Sequence, residues 1–169
     1  QCLNNLAGLY LQMGKYDQVE SLYLQSKIVY GKVLGKEHQK YGTVLGNLAS
    51  FYSAIGNLKQ AEMLNIEALN ITAIALGRNH QSYATSLNNL AHVYQEMGNY
   101  DRSEALYLDA KNIWAESVGK EHYDYADGLN NLAGLYKHLG KYSQAELLYI
   151  EAKEIKAKVF NVDHASYAQ

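Results

Sequence analysis

The chain has 169 residues (19.0 kDa), 48% hydrophobic and 19% charged, which is enough apolar material for a core and argues against a disordered chain. Its 15 Lys+Arg against 17 Asp+Glu leave a formal charge of −2, no field suited to gathering phosphates, so nucleic acid is a poor main partner. One Cys excludes an intrachain disulfide and no apolar run approaches the roughly 18 residues of a membrane span, which reads as a cytoplasmic protein, and the absence of Pro suits an all-helical one.

From the N-terminus, the first predicted element is a helix over 2–13, carrying Asn4-Asn5-Leu6-Ala7 and Tyr10 and stopped by Gly14. A second helix, 16–33, carries Glu20 and Tyr23 and runs to Gly35; His38 lies in the polar link that follows. The pattern then restarts. Helices over 40–55 and 58–75 carry Asn47-Leu48-Ala49, Tyr52, Gly56 and Glu62, and end at Gly77 before His80. The pair 82–97 and 100–117 carries Asn89-Leu90-Ala91, Tyr94, Gly98 and Glu104, and ends at Gly119 before His122. The pair 124–139 and 142–159 carries Asn131-Leu132-Ala133, Tyr136, Gly140 and Glu146, with Asn161 in the place of the final Gly and His164 beyond it.

The columns of Asn5, Leu6-Ala7, Tyr10, Gly14, Glu20 and His38 each recur at a step of 42 residues, so the chain is four copies of one unit, at about 1–35, 36–77, 78–119 and 120–161, with 162–169 opening a fifth. In the third copy Leu87, Leu90, Ala91 and Tyr94 share one helix face, and Ala105, Leu106, Leu108 and Ile113 continue on the next helix. Each copy is therefore a helical hairpin turned at a glycine. Because the chain opens inside one first helix and stops just past His164, the reading is of a piece of a longer array, whose end faces offer a route to end-to-end self-association.

Leu6-Ala7, Tyr10, Gly14, Tyr16, Val19, Tyr23 and Ser26, repeated later with Ala61, Ala105 and Ala145, resemble the tetratricopeptide repeat in its longer, kinesin-light-chain-like form. The resemblance covers the whole chain. It implies an all-α fold, a right-handed superhelix of about four hairpins whose first helices line a concave, peptide-binding side. The link that reads Asp-His-Pro in the family carries instead His38-Gln39, His80-Gln81, His122-Tyr123 and His164-Ala165, and without Pro the entry angle of the following helix is less fixed.

On the first helices the positions beside the Leu-Ala step are polar. The candidate peptide-binding residues are Asn4 and Asn5; Asn47; Asn88, Asn89, His92 and Glu96; and Asn130, Asn131, Lys137 and His138. An amide offers donors and an acceptor together, so it pairs with the backbone of an extended peptide whatever its sequence. The alternative for the column Asn5, Asn47, Asn89 and Asn131 is a bond to the neighbouring hairpin that fixes the repeat spacing. Similar proteins that clasp chaperone carboxylates place Lys and Arg in these columns, and here they hold Asn, Gly, Thr and Asp, so no such clamp is expected. Gly8, Gly46, Ser50 and Gly134 are expected to leave room for a bulky ligand side chain.

The periodic His residues are a full hairpin apart, too far to share one ion, and are read as link residues, with no metal and no cofactor. Fourteen of the 16 Tyr fall in periodic columns and are read as packing, with Trp114 as a filler between repeats. The periodic Glu column is assigned to the positive ends of the second helices. No nucleophile and base, phosphate loop or acid pair emerges, so an enzyme is not expected. The leading functional reading is a scaffold that binds a peptide segment of another protein. The alternative is a spacer or regulatory arm of a larger signalling or peptidase protein, since similar arrays accompany such domains.

Overall fold

A glycine of left-handed conformation closes each helical hairpin. In the computed structural model, which describes residues 2–166 and side chains as far as residue 159, the helices are α1 (Cys2–Gln12), α2 (Tyr16–Val33), α3 (Gln39–Ala54), α4 (Leu58–Leu76), α5 (Gln81–Glu96), α6 (Tyr100–Ser117), α7 (Tyr123–His138) and α8 (Tyr142–Ser166). No strand occurs among the described residues. Gly98, at φ 75°, shows how the turn works: its N–H donates to the Gln95 carbonyl at 3.0 Å, and the Asn99 N–H reaches back to the Tyr94 carbonyl at 2.8 Å. These two bonds satisfy carbonyls that the end of α5 would otherwise strand, and the same pair recurs at Gly14, Gly56 and Gly140.

Histidines start the first helices. His38, His80 and His122 have extended backbones, and each Nδ1 accepts from the N–H two residues on, of Lys40, Ser82 and Asp124, at 3.1, 3.0 and 3.1 Å. The link histidines thus cap α3, α5 and α7, and this cap fixes the chain's entry into each helix.

Seven helices lie within about two residues of their predicted bounds. The eighth does not: α8 passes through Asn161 to Ser166 instead of stopping at 159. The reason is the missing glycine. Gly35, Gly77 and Gly119 take φ of 87°, 85° and 90° at this column, and among the described residues no other residue type adopts a positive φ. The expected start of a fifth copy at 162–169 is accordingly not marked by a turn as far as Ser166, and its Tyr167 lies outside the described residues.

The helices divide into two compact units, residues 1–78 with α1–α4 and residues 79–169 with α5–α8. In the first unit α2 packs on α3, and the core runs through Ala7, Val19, Tyr23, Leu45, Leu48 and Phe51. In the second, α6 packs on α7 around Ala91, Tyr107, Leu132, Leu135 and Ala145. Small residues set how closely each hairpin's helices approach: Ala91 and Ser103, both 0% exposed, meet where Ser103 Oγ donates to the Ala91 carbonyl at 2.8 Å. Trp114 fills the space between α6 and α7, 3% exposed. A Cβ added to Gly128 would lie 2.6 Å from its ring.

Candidate functional site

The asparagine columns meet across the joints between hairpins. The Leu-Ala step that follows them, buried in α3, α5 and α7, fixes the rotation of those helices and leaves the preceding amides at the edge. In the first unit Asn47 Nδ2 donates to Asn4 Oδ1 at 3.2 Å; in the second, Asn131 Nδ2 donates to Asn88 Oδ1 at 2.9 Å. All four residues are half-buried. Each bond uses one hydrogen of the donor and one lone pair of the acceptor, so each pair retains three amide hydrogens and several lone pairs for a further partner. Asn89 is half-buried, while Asn5 and Asn130 are exposed.

The remaining candidates are exposed and gathered near the ends of their helices. On α5, His92 Nδ1 lies 3.8 Å from Glu96 Oε2 one turn on. On α7, His138 is held by Tyr100: its Nε2 is 2.8 Å from the phenol oxygen, and the rings are 5.2 Å apart. Lys137 borders a cleft of about 500 Å³ on α7 and α8 with Tyr142, Ala145, Glu146 and Tyr149. Gly8 and Gly134, expected to leave open space, sit beside hydroxyls: an added Cβ would be 3.7 Å from Tyr23 and Tyr149 respectively.

A second polar contact crosses the same joints, and sequence reasoning missed it. Tyr52 Oη donates to Glu20 Oε1 at 2.5 Å, and Tyr136 Oη to Glu104 Oε1 at 2.9 Å. Lys141 completes the second joint, its Nζ 3.2 Å from Glu104 Oε2 and 5.0 Å from the centre of the Tyr136 ring. The Glu column therefore does more than complement helix ends. Bonding to the Glu20 carboxylate, with burial and its charge added, pushes the Tyr52 phenol up to about 12. Burial first, then the bond to Glu104, does the same for Tyr136. The signal was in the sequence: the Tyr and Glu columns share the 42-residue step and lie 32 positions apart.

These groups offer hydrogen bonds from neutral amides, flanked by imidazoles and a few charges. Among the described residues no group of three or more His, Cys, Asp and Glu is placed to hold a metal ion, and no helix is long and apolar enough to cross a membrane.

The tetratricopeptide repeat model matches residues 1–73, 41–113 and 82–158. Among solved structures, the chain is similar to BtubC (BKLC) from P. vanneervenii, at 25% identity and a TM-score of 0.77 over 93% of this chain and 63% of that one. It thus spans less than two thirds of that relative. It is also similar in fold to a kinesin-light-chain-type protein of Podosopora anserina with nearly identical TPR-like repeats, at 22% identity and a TM-score of 0.65 over 94% and 95% of the two chains. No curated protein matches. The all-α expectation holds, and its consecutive hairpins are those of a tetratricopeptide solenoid.

Proposed function

This chain belongs to the tetratricopeptide repeat family, whose repeats generally act as protein-interaction scaffolds, and on that footing we propose that it holds an extended peptide segment of a protein partner against its first helices. The carrying observation is the pair of amide contacts, Asn4 with Asn47 and Asn88 with Asn131, which leave unused donors and acceptors at half-buried positions. Peptide N–H and C=O groups are the partners such amides match, and a partly buried amide gains more from them than an exposed one. Asn5, Asn89 and Asn130 extend the polar surface; His92, Glu96, Lys137 and His138 add side-chain selectivity. The reading takes a peptide as ligand in a cytoplasmic setting, with no catalysis, cofactor, nucleic acid or membrane.

Peptides selected from a random display library and titrated by calorimetry test it. Asn88→Ala and Asn130→Ala are each expected to weaken binding about tenfold, one charge-free hydrogen bond's worth, with helicity unchanged. Unaltered affinity in both variants contradicts the reading.

The same bonds favour a second reading, a spacer or regulatory arm, because an amide pair across a joint fixes the distance between hairpins. In that case Asn88→Ala lowers stability and leaves peptide affinity alone.

A further inference from the structure

Inside the first unit, the joint between the two hairpins holds a cleft of about 600 Å³ that combines an apolar wall with uncompensated positive charge. Leu24, Ile28 and Gly31 of α2 form the wall, and the buried Tyr41 of α3 forms the floor. A Cβ added to Gly31 would stand 3.2 Å from the Tyr41 ring, so this side of α2 looks onto the second hairpin. Both walls lie within residues 24–67, and the cleft is therefore present wherever the array starts or stops.

Three ammoniums, those of Lys27, Lys32 and Lys36, share the cleft with one carboxylate, Glu67. The Tyr41 phenol is hydrogen-bonded to Glu67, as Tyr125 is to Glu151 at 3.3 Å in the second unit, which draws that acid down to the floor. Among the described residues none of the three lysines has an ion-pair partner.

The repeat does not demand this arrangement. In the second unit the same columns hold Lys111, Lys120 and Glu151, but Asn112, Ala115 and Glu116 stand in place of Ile28, Gly31 and Lys32. All three departures act in one direction. Ile28 makes the wall apolar, Gly31 removes a methyl that would crowd the floor, and Lys32 turns a balance of two cations against two acids into three against one. Lys32 and Lys36 lie toward the link, with Leu24 about 12 Å back along α2 from Lys32 at the helical rise per residue. Charge and apolar surface are thus separated along the cleft, whose volume falls in the range of about 300–1,000 Å³ of small-molecule sites.

We propose that this cleft binds a single-chain amphiphile with an anionic head, the head held by Lys32 and Lys36 near the link and the tail lying along Leu24 and Ile28 over Tyr41. The site shares no residue with the asparagine pairs, so this proposal and the peptide reading can each fail alone.

Calorimetric titration with dodecanoate below its micelle concentration tests it, with circular dichroism confirming that each variant folds. Dodecanoate is expected to saturate at one molecule per chain. Acetate, which has the head without the tail, and dodecyltrimethylammonium, which has the tail with the opposite charge, are each expected to bind at least about tenfold more weakly. The double variant Ile28→Asn, Lys32→Glu writes the second unit's residues onto two exposed positions and is expected to weaken dodecanoate about tenfold or more. Lys36→Glu, outside every helix, carries the same expectation should the double variant lose helicity. No saturable dodecanoate binding, equal affinity for the cationic amphiphile, or folded variants that bind dodecanoate as the wild type does would each overturn the proposal.

Discussion

The phenol of Tyr136 joins two hairpins only while it keeps its proton. An unfolded tyrosine ionises near pH 10, and in the folded chain burial and Glu104 push the group up to about 12; Glu20 does the same for Tyr52. Raised folded values mean that their stabilisation is complete below about pH 10 and is lost as pH rises through about 12. The urea midpoint is therefore expected to fall between those limits, and to fall less in the Tyr52→Phe, Tyr136→Phe double variant. At neutral pH Tyr136→Phe alone should cost about 1–2 kcal/mol, the worth of a bond to a charged acceptor. A second close contact makes an opposite demand on size. Gly128→Ala sets a methyl 2.6 Å from the Trp114 ring, and thermal unfolding should show a net loss of about 1–2 kcal/mol despite alanine's better helix propensity. In a Trp114→Leu background the same alanine should cost little.

Helices in this chain are written by their ends as much as by their apolar faces. Glycines that adopt positive φ were readable from the sequence because no other residue takes that conformation cheaply, and they located seven helices. Where asparagine replaced glycine, at Asn161, the same rule failed in the direction that physics requires, and α8 continued. The caps were hidden for another reason: histidine is an uncommon cap, so the periodic His column read as mere link. His122→Ala should lower stability by about 1 kcal/mol in urea unfolding, and His122→Asp, which restores an acceptor at the positive start of α7, should recover most of it. A loss that aspartate does not repair would assign His122 some role other than capping.

Within each of the two units the joint between hairpins is built alike: apolar side chains interleave, an amide meets an amide, and a phenol meets a carboxylate. The 42-residue step made the fold readable because every column announces itself four times. The partners within a joint were less readable, since periodicity gives each column's depth and leaves open which columns touch. Asn131 and Asn88 illustrate this. Both were picked out as polar and inward, but only the 43-residue offset of the actual bond separates a repeat-fixing pair from two independent ligand contacts. A double-mutant cycle on Asn88→Ala and Asn131→Ala should give a coupling of about 0.5–1.5 kcal/mol by urea unfolding. The same bond is compatible with binding because it leaves most of both amides unspent.

Amide chemical-shift mapping of the chain with a display-selected extended peptide tests the scaffold reading most directly. The account predicts that the perturbed side-chain amides are those of Asn4, Asn47, Asn88, Asn130 and Asn131, with the indole of Trp114 unmoved. Shifts confined to α8 around Tyr142, Tyr149 and Ile150, with the asparagine amides silent, would contradict it.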